Sequence, residues 1–351
     1  MITWRDGIVS AVGQPWAGTV ELRVDTVAGT LPALAYPALV GEPAVGDRVV
    51  LNTTALDLGL GTGGYAMVVA SPDRLPKDPT GPGHLMKARY TPLQTLVLGV
   101  DEPDSPWHDV LADADDLDGM PVVVADLHSS LPAILAGLRT GAPQARVAYV
   151  MTDGGALPLA FSHTVAGLRR HGWLTGSVTA QQAYGGDLEA VTLHSGLLAA
   201  RLVLAADVAI VTQGPGNLGT DTRFGFSGVA AGEAINASVS LGGRPVATLR
   251  ISTADPRERH RGISHHSLTA YGRVALAAAD IAVPDLPGIR AAAAPLSPPH
   301  RLVRVPIEGL ETALRSAPVP LQTMGRDYDA DPTYFLAAAA GGRLAASMLT
   351  G

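Results

Sequence analysis

The stretch PVVVADLHSSLPAILAGLR, residues 121–139, decides the fold: an apolar run leads into a short polar loop, and a helical pattern follows. The same order recurs from residue 147 and again from residue 209. Apolar runs that alternate with helical segments are typical of strands buried on both faces of a parallel sheet. The sequence therefore predicts an α/β domain with a mostly parallel sheet and helices between the strands.

Hydrophobic spacing predicts the individual elements of this domain. Predicted strands cover residues 96–100, 121–126, 146–152, 208–212, 246–252 and 302–306. Predicted helices cover residues 132–139, 159–171, 188–206, 268–279, 309–317 and 334–347. Asp187 precedes the third of these helices and is expected at or near its N-cap. The order of the strands in the sheet does not follow from this pattern.

The N-terminal part of the chain has a different pattern, of short strands separated by turns. Residues 19–24 alternate between apolar and polar side chains, which is typical of a strand with one buried face. We predict strands at residues 7–12, 19–27, 34–39, 48–53 and 65–69, forming a small antiparallel β barrel or sandwich. The Pro/Gly-rich residues 71–92 suit a linker. The predicted domains are therefore residues 1–85 and 86–351.

Composition argues against several classes of protein. The formal charge is −7 and no basic cluster is present, which argues against nucleic-acid binding. The absence of cysteine excludes disulfides, thiolate metal ligands and cysteine nucleophiles. No apolar run reaches the roughly 18 residues of a membrane span, and residues 1–9 lack the apolar core of a signal peptide. We expect a cytoplasmic protein, and the 16% of charged residues is low enough to favour a homo-oligomer.

Three polar loops follow predicted strands, and such loops meet at the carboxyl edge of an open α/β sheet, where ligands bind. Glycines let the backbone approach a ligand, and free N–H groups at helix starts favour an anion. No Walker motif is present. The glycines at 214, 216 and 219 have dinucleotide-fingerprint spacing, but a tight turn explains them equally well. The candidate ligand-binding residues are Gly154, Gly155, Gly214, Gly216, Gly219, Thr220, Arg223, Arg257 and Arg261.

Histidines and carboxylates are concentrated in the same region, above all in DPRERHRGISHH, residues 255–266. Burying so dense a polar stretch is costly without partners, which favours a functional site. The candidate catalytic residues are Asp126, His128, Asp153, Asp187, His194, Asp255, His265 and His266. Of these, Asp126, His128, His265 and His266 are candidate ligands of a divalent metal. The alternative is acid–base catalysis by His and Asp with arginine holding the anion, because no ligand spacing fixes a metal geometry.

Several motifs carry a resemblance beyond these patterns. They include ADLHSSLP at 125–132, YVMTDGGALP at 149–158, GGDLEA at 185–190 and GISHH at 262–266. Together they resemble a bacterial family of uncharacterised proteins known only as a domain of unknown function. The resemblance extends over nearly the whole chain, and it implies neither an activity nor a catalytic residue.

The residues therefore predict an enzyme that acts on a small anionic metabolite, a nucleotide or other phosphorylated compound, by hydrolysis or group transfer. The alternative is a non-catalytic metabolite-binding sensor or an oligomeric scaffold. The two differ in what His265 and Asp126 do. An enzyme loses turnover or metal when either is replaced by alanine, whereas a scaffold changes its assembly.

Overall fold

A computed structural model describes residues 1–349 and divides the chain into two compact units, with the boundary between Val97 and Leu98. In the first unit, five strands close into a barrel of order β1-β2-β3-β5-β4. These strands are β1 (Trp4–Val12), β2 (Val20–Thr26), β3 (Gly29–Ala35), β4 (Arg48–Asn52) and β5 (Ala66–Ala70). The N-terminal barrel predicted from the sequence is confirmed.

The barrel is not wholly antiparallel, because β3 pairs with β5 in parallel. This connectivity is that of an OB-type Greek-key barrel. Two helical turns, α1 (Pro37–Val40) and α2 (Thr54–Asp57), flank β4. The predicted strand at residues 34–39 is wrong in its second half, because Pro37 starts α1 there.

The last segment of the first unit is an antiparallel hairpin of β6 (Leu85–Lys87) and β7 (Thr95–Val97). The sequence pattern assigned residues 96–100 to the first strand of the α/β domain. In the structure Val97 pairs with Leu85, which keeps the hairpin within the first unit. The observed boundary is therefore later in the chain than the predicted one at residue 85.

The second unit is built on an eight-stranded sheet of order β11-β10-β9-β12-β8-β13-β16-β17, in which all neighbouring strands are parallel. The strands of this unit are β8 (Pro121–Val124), β9 (Val147–Thr152), β10 (Gly176–Ala180), β11 (Leu188–Ala190), β12 (Val208–Gln213), β13 (Arg244–Thr248), β14 (Ile251–Ser252), β15 (Gly262–Ile263), β16 (Asp280–Pro284), β17 (Arg301–Val305), β18 (Gln322–Thr323) and β19 (Arg326–Asp327). The prediction of a mostly parallel α/β sheet is confirmed.

Helices cover both faces of this sheet. They are α3 (His108–Leu111), α4 (Leu131–Arg139), α5 (His163–Arg170), α6 (Leu193–Leu202), α7 (Ala230–Ser240), α8 (His265–Thr269), α9 (Ile289–Ala293), α10 (Leu310–Arg315) and α11 (Pro332–Ser347). Strand β8 shows the two layers: Val122 and Val124 pack with α6 and α7, whereas Val123 packs with α4 and α11. Within residues 1–349, none of the helices has the length and apolar character needed to cross a membrane.

Helices α4 and α11 cross at unusually close range. A Cβ placed on Gly137 would lie 1.9 Å from the Ala339 carbonyl oxygen, and one on Gly342 would lie 1.8 Å from the Ile134 carbonyl oxygen. Real Cβ atoms do not approach backbone oxygens so closely, so the crossing depends on glycine at both positions. This contact fixes α4, whose first residue follows the polar loop after β8.

Several predicted elements differ from the structure. Residues 188–190 form edge strand β11 instead of helix, and α6 begins only after Thr192, which forms a capping box with Ser195. Asp187 is therefore not a helix cap. The predicted strand at 246–252 is interrupted at Arg250, and β10, β16 and α7 are absent from the predicted set. For β10, β11 and β16, pairing with neighbouring strands outweighs local pattern.

Strand order places an opening at the carboxyl edge of β12, β8 and β13. The connection after β8 passes through α4 on one face, and the connection after β12 passes through α7 on the other. Neighbouring connections that leave in opposite directions create a crevice, the usual ligand position in doubly wound sheets.

Candidate functional site

Polar side chains from two central strands and one helix meet in this crevice. Asp126 follows β8, Arg250 follows β13, and His266 lies in α8; they are 4%, 4% and 6% exposed. Arg250 Nη1 lies 3.1 Å from His266 Nδ1. The Asp126 Oδ2 atom lies 3.6 Å from His266 Nδ1 and 3.7 Å from Arg250 Nη1. The Asp126 carboxylate thus lies just beyond hydrogen-bonding distance of two nitrogen atoms, and its Oδ2 has no hydrogen-bond partner among the described residues.

His266 is one of three histidines that converge here, with His260 and His265. One ring nitrogen of each lies within 4.8 Å of the other two. Ser264 organises the group, because its Oγ accepts the His266 backbone N–H at 3.2 Å and is hydrogen-bonded to His260 Nδ1 at 2.7 Å. Phe226 stacks on His266 with ring centroids 3.7 Å apart, which fixes the plane of that ring.

Burial and neighbouring positive charge keep two of these imidazoles neutral. The pKa of His260 falls to about 3, first because the ring is desolvated and then because Arg250 and Arg257 are close. The pKa of His265 falls to about 4, again mainly by desolvation, with contributions from His266 and Arg259. At neutral pH both rings therefore carry a free lone pair, the form that binds metals or accepts protons.

The three histidines line a cavity of about 220 Å³, which we call the histidine–arginine cavity. Its other walls are the loop at residues 217–225, Met324 of the β18–β19 turn, and three arginines. These arginines are Arg250, Arg257 and Arg259. A concave site with converging polar groups at the carboxyl edge of the sheet is the best candidate for ligand binding in this unit.

Asp255 lies behind the wall of this cavity and holds one of its arginines in place. Its fully buried carboxylate accepts two hydrogen bonds from the Arg257 guanidinium, at 3.0 and 2.9 Å, one from the Arg257 backbone N–H at 3.0 Å, and one from Arg326 at 3.3 Å. Burial alone would raise the Asp255 pKa, but the hydrogen bonds from Arg257 outweigh it and lower the pKa well below its usual range. Arg326 also reaches the buried Asp331 at 3.1 Å. Asp255 therefore positions Arg257 at the cavity wall and stays ionised.

Several predicted site residues come together at the cavity. Asp126, Asp255, His265 and His266 belong to it or to its supports, and Gly219, Thr220 and Arg257 lie in its wall. Several residues of the cavity were not among the predicted site residues, and the most notable are Arg250, Arg259 and His260. The signal for Arg250 was a charged residue inside an apolar strand pattern, since arginine is almost never buried unless it is paired. His260 and Arg259 stood within the quoted polar stretch 255–266.

His128 lies apart from this cluster. Its Nδ1 is hydrogen-bonded to the Tyr149 hydroxyl at 2.9 Å and its Nε2 to Ser162 Oγ at 2.7 Å, so both ring nitrogens are occupied. Desolvation of the buried ring lowers the His128 pKa to about 4. The predicted grouping of His128 with Asp126, His265 and His266 as metal ligands is not what the geometry provides.

Because His128 is buried in its neutral form, it should make the fold sensitive to acid. Its pKa is about 4 when folded and about 6.5 when unfolded, so the unfolded chain takes up the proton first as the pH falls. Stability from this group is complete above pH 6.5 and decreases by about 3 kcal/mol toward pH 4. We measure the free energy of urea unfolding of the metal-free protein at pH 6.5 and at pH 4. We expect His128→Gln to make the difference between these two values about 3 kcal/mol smaller. Equal pH slopes in the two proteins would contradict this role of His128.

The remaining predicted residues have other surroundings. Gly154, Gly155 and Gly214 allow two loops to touch: a Cβ on Gly155 would lie 2.2 Å from the Gly214 carbonyl oxygen. Asp153 accepts the Gln182 N–H at 3.2 Å, and Asp187 accepts from Ser177 and pairs with Arg169. Four other predicted residues are exposed and lie outside the cavity wall: His194, Gly216, Arg223 and Arg261.

Comparison with known proteins places the whole cavity within one family segment. A family model described as a protein of unknown function (DUF3866) matches residues 32–342. The chain belongs to this family. No curated protein matches it. The DUF3866 segment includes every residue that lines the histidine–arginine cavity, from Asn217 to Met324.

The donor set fits a first-row transition metal such as zinc, which accepts imidazole nitrogens in tetrahedral sites. His265 Nε2 is buried and has no hydrogen-bond partner among the described residues, and such a nitrogen is costly unless a ligand satisfies it. With Nδ1 of His260 occupied by Ser264, its Nε2 is left for a ligand. Imidazole ligands of metals usually have a carboxylate behind them, and Asp126 stands in that position behind His266.

Proposed function

We propose that this chain is a metal-dependent enzyme that acts on a small anionic, phosphorylated metabolite by hydrolysis or group transfer. One observation carries the proposal: three imidazoles converge to within 4.8 Å at the wall of a cavity that three arginines also line. Neutral imidazoles provide metal ligands, and guanidinium groups bind anionic oxygens. The family match assigns no activity, so the proposal rests on this geometry.

Asp126 is the residue that would stabilise the tautomer of His266 that binds a metal. Arginine can only donate hydrogen bonds, so the contact from Arg250 to His266 Nδ1 requires the proton of a neutral ring to be on Nε2. Metal binding at Nε2 requires the other tautomer, with a proton on Nδ1. Asp126 Oδ2, 3.6 Å away, is the acceptor that this proton needs. Metal binding at Nε2 would therefore exchange the contact between Arg250 and His266 for one between Asp126 and His266.

The chemistry would follow from a metal held by His260, His265 and His266. A zinc ion bound there would lower the pKa of a water molecule and so activate it for attack. In hydrolysis of a phosphate ester, the water oxygen forms the new P–O bond, the ester P–O bond breaks, and the alcohol leaves with a proton. The arginines bind the phosphoryl oxygens and stabilise the charge that develops on them.

The test begins with metal content. Protein purified without chelator is analysed for transition metals, stripped with chelator, and reloaded with Zn²⁺, Mn²⁺ or Co²⁺ before assay against a panel of phosphate esters. We expect one metal per chain and turnover that disappears on stripping and returns on reloading. A protein that takes up no stoichiometric metal contradicts the proposal. Stoichiometric metal and ligand without turnover would favour the sensor alternative.

A further inference from the structure

The charges around the histidine–arginine cavity are balanced before any metal enters. Each arginine in its wall has an aspartate partner: Arg250 with Asp126, Arg257 with Asp255, and Arg259 with Asp221. A divalent metal held by the three imidazoles would add two positive charges without a counterion. Uncompensated charge in a poorly solvated site is costly, so the metal-loaded cavity favours a ligand with two negative charges.

The three arginines differ in how firmly their aspartates hold them. Arg250 is itself buried, and Arg257 is held by the fully buried Asp255. The partner of Arg259 is Asp221, whose side chain is 70% exposed. Exposed ion pairs contribute little to stability, so this guanidinium can be exchanged to a ligand at low cost. Arg259 is therefore the arginine of the cavity that is free to bind an incoming anion.

Hydrogen-bonding groups on the facing loop suit a phosphoryl group. Thr220 and Thr222 line the cavity, and their hydroxyls lie 3.2 Å from each other. Threonine hydroxyls and arginine together are common ligands of phosphate oxygens. The loop that carries them also carries Asp221, so an anion that displaces Asp221 from Arg259 meets both hydroxyls on the same loop.

The size of the cavity limits the rest of the ligand. Pockets for drug-sized ligands measure about 300–1,000 Å³, and this cavity measures about 220 Å³. A phosphate with a short organic chain would fill that space, whereas a complete nucleotide would extend beyond it. The nucleotide alternative considered from the sequence is therefore the less suitable ligand.

We propose that the metal-loaded cavity binds small phosphate monoesters as dianions, and that Arg259 leaves Asp221 to bind the phosphoryl group and so determines specificity. This inference rests on the proposed function, because it needs the metal at the three histidines. It goes further in naming the charge and size of the substrate and the residue that selects it.

The experiment is calorimetric titration of zinc-loaded and zinc-free protein with inorganic phosphate, glycerol 2-phosphate and AMP, with zinc content measured on each sample. We expect phosphate and glycerol 2-phosphate to bind the zinc-loaded protein at least about 10-fold more tightly than the zinc-free protein, and AMP to bind weakly. Arg259→Gln should weaken phosphate binding by about 10-fold or more, the usual loss for one charge-assisted hydrogen bond. Asp221→Asn should strengthen it, since the competing carboxylate is gone.

Arg170→Gln is the matched control, because Arg170 is exposed on α5 and lies outside the cavity wall. Stoichiometric zinc together with equal phosphate affinities for Arg259→Gln and Arg170→Gln would overturn the inference and leave the metal site standing. Tighter binding of AMP than of glycerol 2-phosphate would overturn it in the same way. Absence of zinc from every sample would overturn both the inference and the proposed function, so the two failures are distinguishable.

Discussion

His265→Ala is expected to lower the affinity for zinc by at least about 100-fold and to remove metal-dependent turnover. Loss of a residue behind a metal ligand already costs about 10–100-fold in affinity, and loss of a ligand should cost more. His265 is the best position for this test because it is half-buried and its Nε2 has no hydrogen-bond partner among residues 1–349. Removing the ring therefore breaks no hydrogen bond at Nε2, although its ring contacts with Phe226, His260 and His266 are lost. Competition titration with a zinc-binding dye measures the effect.

His171→Ala is the control, because His171 is an exposed histidine at the end of α5. It should bind zinc as the unaltered protein does. Thermal unfolding of the zinc-free variants should show that both are folded, which separates loss of a ligand from loss of structure. If His265→Ala is folded and keeps full zinc affinity, the metal is held elsewhere and the proposed centre is wrong.

Gly342→Ala is expected to destabilise the protein by about 3 kcal/mol or more, or to prevent folding. The added Cβ would lie 1.8 Å from the Ile134 carbonyl oxygen and 2.7 Å from the Leu138 nitrogen. Both are backbone atoms of α4, so no side-chain rotation can relieve the overlap. The helices must move apart, and the buried packing between them would be lost. Urea unfolding followed by circular dichroism measures the change.

Gly196→Ala in α6 provides the comparison. Its added Cβ would approach only side-chain carbons, the nearest being Val150 Cγ1 at 3.3 Å. Alanine also has a helix propensity about 1 kcal/mol better than glycine, which offsets modest crowding. We expect a change of about 1 kcal/mol or less in either direction. Similar unfolding midpoints for Gly342→Ala and Gly196→Ala would show that α4 and α11 do not cross as described.

Local pattern was sufficient for most central elements. The apolar runs before Asp126, Thr152 and Gln213 are β8, β9 and β12, because a strand buried on both faces needs an uninterrupted apolar stretch. The pattern failed at residues 188–190, where a strand precedes the helix. Periodicity cannot separate these states in so short a segment, and pairing with β10 decides between them.

The sequence pattern indicated the position of the histidine–arginine cavity better than the residues that line it. The sequence indicated polar loops after the strands and a dense polar stretch at 255–266, and both contribute to the cavity. It did not show that Asp126 and His128, which are two positions apart, have different surroundings. In the structure Asp126 faces His266, whereas His128 contacts Tyr149 on the other face of the sheet. The turn after β8 directs the two side chains to opposite faces of the sheet, and the pattern of residue types does not predict the course of this turn.

The sequence by itself determined the α/β class, the N-terminal barrel and the polar character of the loops, because these depend on the side chains of neighbouring residues. Only the tertiary structure decided that Arg250 meets His266, that His260 joins His265 and His266, and that Asp221 pairs with Arg259. Those contacts depend on which strands are neighbours and on the direction in which each loop leaves the sheet. Both properties arise from packing between distant segments, which local sequence does not encode.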